Sequence, residues 1–188
     1  NNIFQLKQKL SSYNIEVLAG EAAILDTARM GADWIISAIV GFAGVPPTLE
    51  SVKHCKMVAI ANKESLVCAG KLLIDMAITF KSKLLPVDSE HNAIFQCINY
   101  ENPINIKKVT LTASGGPFRN FTLAEMAKVT VAQAIKHPTW AMGKRISIDS
   151  ASMFNKALEL IEAKYFFELN SDQLEVVIHP ESIIHSMV

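Results

Sequence analysis

Three runs of this chain, DWIISAIVG (33–41), KMVAIAN (56–62) and KLLPVD (83–88), are apolar at nearly every position rather than at alternate ones. A strand of that kind has both faces covered, which is the environment of a parallel sheet sandwiched between helices. A fourth run, IEVLAG (15–20), reads as a strand of the same sheet. Helix-patterned segments lie between them: EAAILDTARM, PPTLESVKHC and KESLVCAGKLLIDMAITFK. Strand, helix, strand in that order implies right-handed crossovers. Residues 1–88 therefore read as part of a doubly wound α/β domain of the nucleotide-binding type.

The pattern changes after Asp88. A short helix HNAIFQCI leads through polar NYENPINIKK to a strand VTLTAS (109–114). A turn-rich loop ASGGPFRNFT follows, then a helix entered through the capping box Thr122/Glu125. KHPTWAMGKRIS (136–147) reads as a loop. One long helix is expected from about Ser150 to Phe167, then two strands, LEVVIHP and SIIHSMV. Residues 89–188 thus read as a smaller α+β domain, with the boundary at 88–90.

Composition narrows the partners. Lys plus Arg and Asp plus Glu are equal at 18 each, so no net field draws the chain to nucleic acid or an anionic membrane. The apolar runs are too short and too broken by Gly and Pro for a transmembrane helix, and NNIFQLKQKL lacks the layout of a signal peptide. Cys55, Cys68 and Cys97 are scattered and read as reduced thiols of a cytoplasmic protein. Both ends of the chain read as cut.

The chemistry concentrates in a few places. Asp88 and Glu90 flank Ser89. If the strand KLLPV continues through them, their carboxylates leave one face at the carboxyl end of a parallel strand. With a carboxylate from a helix, Glu159, such a set suits Mg²⁺ or Mn²⁺ better than zinc. Ser152, Asn155, Lys156 and Glu159 form one polar stripe at helical spacing, walled by apolar residues. An exposed Lys–Glu stripe is one reading. The other sets Ser150, Asn155, Lys156 and free helix N–H groups on a phosphate. ASGGPF offers backbone amides and Ser114 to an oxyanion, although a plain turn has the same composition. His137 sits in a Pro-containing loop, with Trp140 and Met142 as core anchors or a lid. ANKESL and AIVGFAG place residues at strand-to-helix turns, where cofactors bind in such sheets.

AIVGFAGVPPTL, ANKESLV, LLPVDSEHNAIFQ, ASGGPFR, HPTWAMGKRISIDSASMFNKALELIEA and LEVVIHPESIIHSMV together resemble 1-deoxy-D-xylulose 5-phosphate reductoisomerase, in order and over nearly all of residues 15–188. The resemblance implies an NADPH- and divalent-metal-dependent enzyme of non-mevalonate isoprenoid synthesis. Such an enzyme converts 1-deoxy-D-xylulose 5-phosphate to 2-C-methyl-D-erythritol 4-phosphate by breaking and rejoining the carbon skeleton, then reducing it. It further implies a cytoplasmic homodimer (plastid-type if eukaryotic), acting on a phosphosugar with one Mg²⁺, Mn²⁺ or Co²⁺. Carried over by motif, Asp88, Glu90 and Glu159 are metal ligands, with Lys63 and Ser89 beside the reacting oxygens. Ser114, Ser150, Asn155 and Lys156 hold the phosphate, His137 closes over the substrate, and Trp140 and Met142 belong to the lid. Ala38, Ile39, Val40, Asn62, Lys63, Glu64 and Gly143 face NADPH.

Departures from the family pattern are expected to matter. The first strand, its glycine-rich turn and the helical C-terminal domain lie outside these residues, and Ala113 stands where glycine is common. The expectation is that metal and phosphate ligands are retained while NADPH binds poorly. Two alternatives stand beside this reading: an NADPH-dependent semialdehyde or homoserine-type dehydrogenase without a metal triad, and a phosphosugar-binding module without catalysis.

Overall fold

The computed structural model describes residues 2–98, 106–136 and 143–188. After α1 (Asn2–Lys9) and α2 (Glu21–Arg29), the chain alternates β1 (Ala32–Ser37), α3 (Val45–His54), β2 (Cys55–Ile60), α4 (Lys63–Phe80) and β3 (Lys83–Pro86). The three strands form a parallel sheet in the order β1-β2-β3, registering Ile35 on Val58 and Val58 on Leu84. Val52, Val58, Ile60, Leu66 and Leu73 are buried in one cluster between this sheet and helices α3 and α4. Each such side chain contributes roughly 1.5–3 kcal/mol on leaving water.

The second half follows with α5 (Ser89–Cys97), β4 (Val109–Ala113), α6 (Leu123–Met126), α7 (Val131–Ala134), α8 (Lys144–Ala151), α9 (Phe154–Phe166), β5 (Leu174–Ile178) and β6 (Ser186–Met187). Its sheet runs β5-β4-β6, with β4 parallel to β5 and antiparallel to β6. Ile94, Val109, Leu111, Ala163 and Leu169 form a second buried cluster. Helix α9 serves both halves. Its Ala163 lies in the second cluster, while Tyr165 and Phe166 pack against the first. Gly70 of α4 makes that approach possible, since a Cβ there would lie 2.3 Å from the Tyr165 ring.

Four expectations are corrected. IEVLAG is not a strand; residues 14–19 carry no regular structure, and Ile15 and Leu18 are exposed. A strand needs a neighbour for its N–H and C=O groups, and this run has none in the described sheet. KLLPVD leaves the sheet at Pro86, so Asp88 is the N-cap of α5 and Glu90 lies in its first turn. Strand alternation therefore does not place these two carboxylates. KRIS is not loop but the start of α8, entered from Gly143.

The long helix expected over 150–167 is two. Met153 takes φ 61° between α8 and α9. The Ser152 hydroxyl donates to the carbonyls of Ile148 and Asp149 at 3.1 Å each, and accepts from Phe154 N at 3.4 Å. A serine bonding its own backbone in this way offers the chain an alternative to continuing the helix. The break gives α9 its own N-terminus, two residues before Lys156.

Candidate active site

Where the two halves meet, a cavity of about 470 Å³ is lined by residues of α4, α5, α8, α9 and the loop after β4. Lys63, Asp88, Ser89, Glu90, Ser114, Ser150, Asn155, Lys156 and Glu159 all face it. Sequence positions almost a hundred residues apart thus share one wall. Thr112, Ala113, Gly115, Ile184 and His185 complete it from the second sheet and its loops.

Each polar side chain reaches the cavity for a local reason. Asn62 caps α4, its Oδ1 accepting from Ser65 N at 2.9 Å, which fixes Lys63 as the first helical residue. Pro86 ends β3 and Asp88 stands at the N-cap position of α5 without a side-chain capping bond, which puts Ser89 and Glu90 at the start of that helix. Gly115 and Gly116 both take positive φ, 83° and 67°, and Gly116 N donates to Ser114 Oγ at 3.2 Å. A Cβ on Gly116 would stand 2.6 Å from Ser150 O, so the loop lies directly on the end of α8. On α9 the polar stripe turns inward: Lys156 and Glu159 are buried, while Ser152 is left exposed before the helix. The exposed-stripe reading is thereby corrected.

Two ammonium groups organise the carboxylates. Lys156 Nζ donates to Glu90 Oε1 at 2.9 Å and to Glu159 Oε2 at 2.5 Å. Lys63 Nζ donates to Asp88 Oδ2 at 3.1 Å and to Asn155 Oδ1 at 2.6 Å. Asn155 Nδ2 in turn donates to Glu159 Oε1, which closes the network. Burial works against ionisation of Glu90, but Lys156 outweighs it and holds the carboxyl below its ordinary value. Glu159 is more deeply buried and has Glu90 as a like charge, so burial and that repulsion push it up to about 7 despite Lys156. Burial opposes the charge on Lys63, yet the carboxylates of Asp88, Glu162 and Glu159 raise its value.

His91 and Glu162 were not singled out by sequence reasoning. His91 is fully buried, and its Nε2–H donates to the Glu159 carbonyl at 2.9 Å. Burial lowers the ring's affinity for a second proton. Glu162 is 2 % exposed, and burial beside Asp88 pushes it up to about 9. Among the described residues, the acid and imidazole atoms that converge within 4.8 Å belong to Asp88, His91 and Glu162. Continuing the α9 stripe one turn, from Glu159 to Glu162, is the signal that could have found the second of these.

The rim residues fall elsewhere. Ala38, Ile39 and Val40 follow β1 and are exposed. Buried Asn62 ties that segment down, donating Nδ2 to Ile39 O at 2.5 Å and to Gly41 O at 3.0 Å. Glu64 pairs with Arg145 at 2.5 Å, joining this rim to the first turn of α8 beside Gly143. Of this group, Lys63 alone also lines the cavity. His137, Trp140 and Met142 lie outside the described residues.

The family model described as "1-deoxy-D-xylulose 5-phosphate reductoisomerase" matches residues 1–70, and the model of that enzyme's C-terminal domain matches residues 84–167. The chain belongs to the 1-deoxy-D-xylulose 5-phosphate reductoisomerase family. The reductoisomerase of Zymomonas mobilis is 52% identical over 183 residues, covering 97% of this chain and 47% of the relative. That of Rhizobium etli is 55% identical over 183 residues, covering 97% and 46%. The chain therefore spans about half the length of the curated reductoisomerases it matches. Among solved structures, the Zymomonas mobilis reductoisomerase in complex with NADPH superposes with a TM-score of 0.91 at 49% identity, over 99% of this chain and 48% of that one. A reductoisomerase in complex with NADPH, fosmidomycin and magnesium gives 0.90 at 43% identity, over 98% and 48%. No helix of the described residues is long and apolar enough to cross a membrane.

Proposed function

We propose that this chain forms the central part of an enzyme that isomerises and reduces 1-deoxy-D-xylulose 5-phosphate to 2-C-methyl-D-erythritol 4-phosphate, using NADPH and a divalent cation. The observation that carries the reading is the cavity itself. It gathers three carboxylates, two lysines and four serines from five separate segments of a chain whose solved relatives hold NADPH and magnesium.

By donor chemistry the residues fit a divalent cation, although the acid and imidazole atoms that converge within 4.8 Å among the described residues are those of Asp88, His91 and Glu162. Asp88, Glu90 and Glu159 supply only oxygen donors, the set that suits Mg²⁺ or Mn²⁺. Two ammonium groups already stand against these carboxylates, so they are placed where positive charge is balanced. When bound there, a divalent ion supplies Lewis-acid polarisation of the substrate's oxygens. Lys63 and Ser89 are proposed to hold the reacting oxygens, Lys63 as an ammonium that stabilises developing negative charge. Ser114, Ser150, Asn155 and Lys156 are proposed to bind the phosphate, helped by the N-terminus of α9. Remote binding of that phosphate supplies energy for orienting the reacting end. Ala38, Ile39, Val40, Asn62, Lys63, Glu64 and Gly143 are proposed to face NADPH along the carboxyl edge of the first sheet. His137, Trp140 and Met142 are proposed to close over the substrate.

The division near residue 88 is proposed as the boundary between a nucleotide-binding part and a catalytic part, which agrees with the separate matches to residues 1–70 and 84–167. Homodimerisation and a cytoplasmic location are proposed on family membership. The test is NADPH oxidation by the complete protein with deoxyxylulose phosphate and Mg²⁺ or Mn²⁺. Glu159→Gln is expected to abolish turnover. Undiminished turnover in that variant favours a metal-independent dehydrogenase, and absence of turnover in the parent protein refutes the reading.

A further inference from the structure

Glu162 sits behind the cavity rather than in its wall, one turn beyond Glu159 on the buried face of α9. It is 2 % exposed, and its Oε2 has no hydrogen-bond partner among the described residues. A buried carboxyl oxygen left without a partner ordinarily costs about 1–3 kcal/mol, so its presence here calls for an account. The positive charge recorded beside it is the Lys63 ammonium, 4.0 Å away.

Lys63 has three neighbours with different duties. Asp88 accepts from it at 3.1 Å and Asn155 at 2.6 Å. Both of those line the cavity and are proposed above to engage the cation and the phosphate. A cation on Asp88 competes with Lys63 for that carboxylate, whereas Asn155 meets a phosphate through its Nδ2–H and keeps Oδ1 for Lys63. Glu162 does not line the cavity; behind it, its carboxyl converges with Asp88 and His91 and stands clear of incoming ligands. Its Oε2 keeps a lone pair toward Lys63 whether the carboxyl is ionised or protonated. The ammonium carries three donors on a flexible stem, so an acceptor at its back determines where it points.

We propose that Glu162 is a positioning residue: it holds the Lys63 ammonium at the cavity wall when a cation engages Asp88. The inference rests on the functional reading above for the role of Lys63, and on geometry alone for the contact. Glu162 acts through Lys63 and touches neither substrate nor cofactor.

Two readouts on the complete protein test this. In the first, Glu162→Leu removes the acceptor at nearly constant volume and Glu162→Gln keeps an amide oxygen in its place. Glu162→Leu is expected to lower kcat at least tenfold with KM for NADPH within twofold, and Glu162→Gln to recover kcat to within about threefold of the parent. In a Lys63→Met background, Glu162→Leu is expected to lower kcat no further than twofold, because interacting residues are not additive. In the second, the ¹⁵N-labelled Lys63 ammonium signal, assigned by its loss in Lys63→Met, is followed with and without Mg²⁺. The parent and Glu162→Gln are expected to retain the signal in Mg²⁺, and Glu162→Leu to lose it at an unchanged melting temperature. An unaltered signal and kcat in Glu162→Leu overturns the proposal, as does a loss of the same size in the Lys63→Met background or failure of Glu162→Gln to recover. A parent protein without turnover refutes the functional reading instead, and the ammonium signal then decides the positioning role by itself.

Discussion

Gly70 gives a prediction in which two effects of opposite sign compete. Replacing a helical glycine by alanine ordinarily stabilises a helix by about 1 kcal/mol. Here the new Cβ meets the Tyr165 ring at 2.3, 2.5 and 2.6 Å from Cδ2, Cε2 and Cγ. Ordinary contact begins at 3.4 Å, so the ring or the helix must retreat by about 1 Å from a contact now at 2.3 Å. Tyr165 packs into the first core cluster and cannot swing freely to solvent. Overpacking of this kind costs roughly 1–3 kcal/mol. The propensity gain is also reduced, since Ala69 already departs from helical angles at φ −136°. Gly70→Ala is therefore expected to destabilise by about 1–2 kcal/mol, read as a lower urea midpoint at unchanged slope. Adding Tyr165→Ala should make the glycine substitution nearly neutral, because nothing is left to displace. Because α9 also carries Asn155, Lys156 and Glu159, Gly70→Ala should weaken cation binding as well. A Gly70→Ala protein that gains about 1 kcal/mol would refute the reasoning and show that the helices separate at little cost.

Three further outcomes are expected. Asn62→Ala removes a helix cap and the side-chain donor to Ile39 O and Gly41 O, and should cost about 2 kcal/mol or more in thermal or urea unfolding. Lys156→Met leaves half-buried Glu90 and buried Glu159 without their shared ammonium. It should cost roughly 3–5 kcal/mol in chelator, and excess Mg²⁺ should recover part of the loss, as melting scans would show. Glu50 is held down to about 2 from its ordinary 4.5, chiefly by its hydrogen bonds with Lys53 and Arg29. A depressed carboxyl contributes stability that is present above about 4.5 and fades as pH falls toward about 2. Stability curves of the parent and Glu50→Gln should therefore separate above pH 5 and converge in acid.

The sequence carried the elements better than it carried their junctions. β1, β2 and β3 were legible because unbroken apolar runs admit few other environments, and the Thr122 box appears as written. IEVLAG has the same composition but no pairing, and composition does not reveal a missing neighbour. The split at Met153 was hidden because Ser152 competes for its own backbone, an effect that a helical repeat does not register. The cavity residues were legible mostly through resemblance, since spacing alone left Asp88 and Glu90 on a strand they do not occupy. Glu162 and His91 were missed because burial, not pattern, gives each its character. An acid on the inward face of a helix reads as an ordinary surface acid until the opposite wall is in place.

The Lys156 bridge between Glu90 and Glu159 bears on how any cation enters. A pocket of bare carboxylates binds by simple addition, and its affinity grows with every negative charge. On the proposed reading this pocket already holds positive charge of its own, so an arriving ion would have to trade places with a tethered one. The exchange discriminates: a monovalent ion returns no more charge than the ammonium it displaces, whereas a divalent ion returns twice as much. The displaced lysine stays on its stem beside the opening, charged and free to meet an anion that follows the metal in.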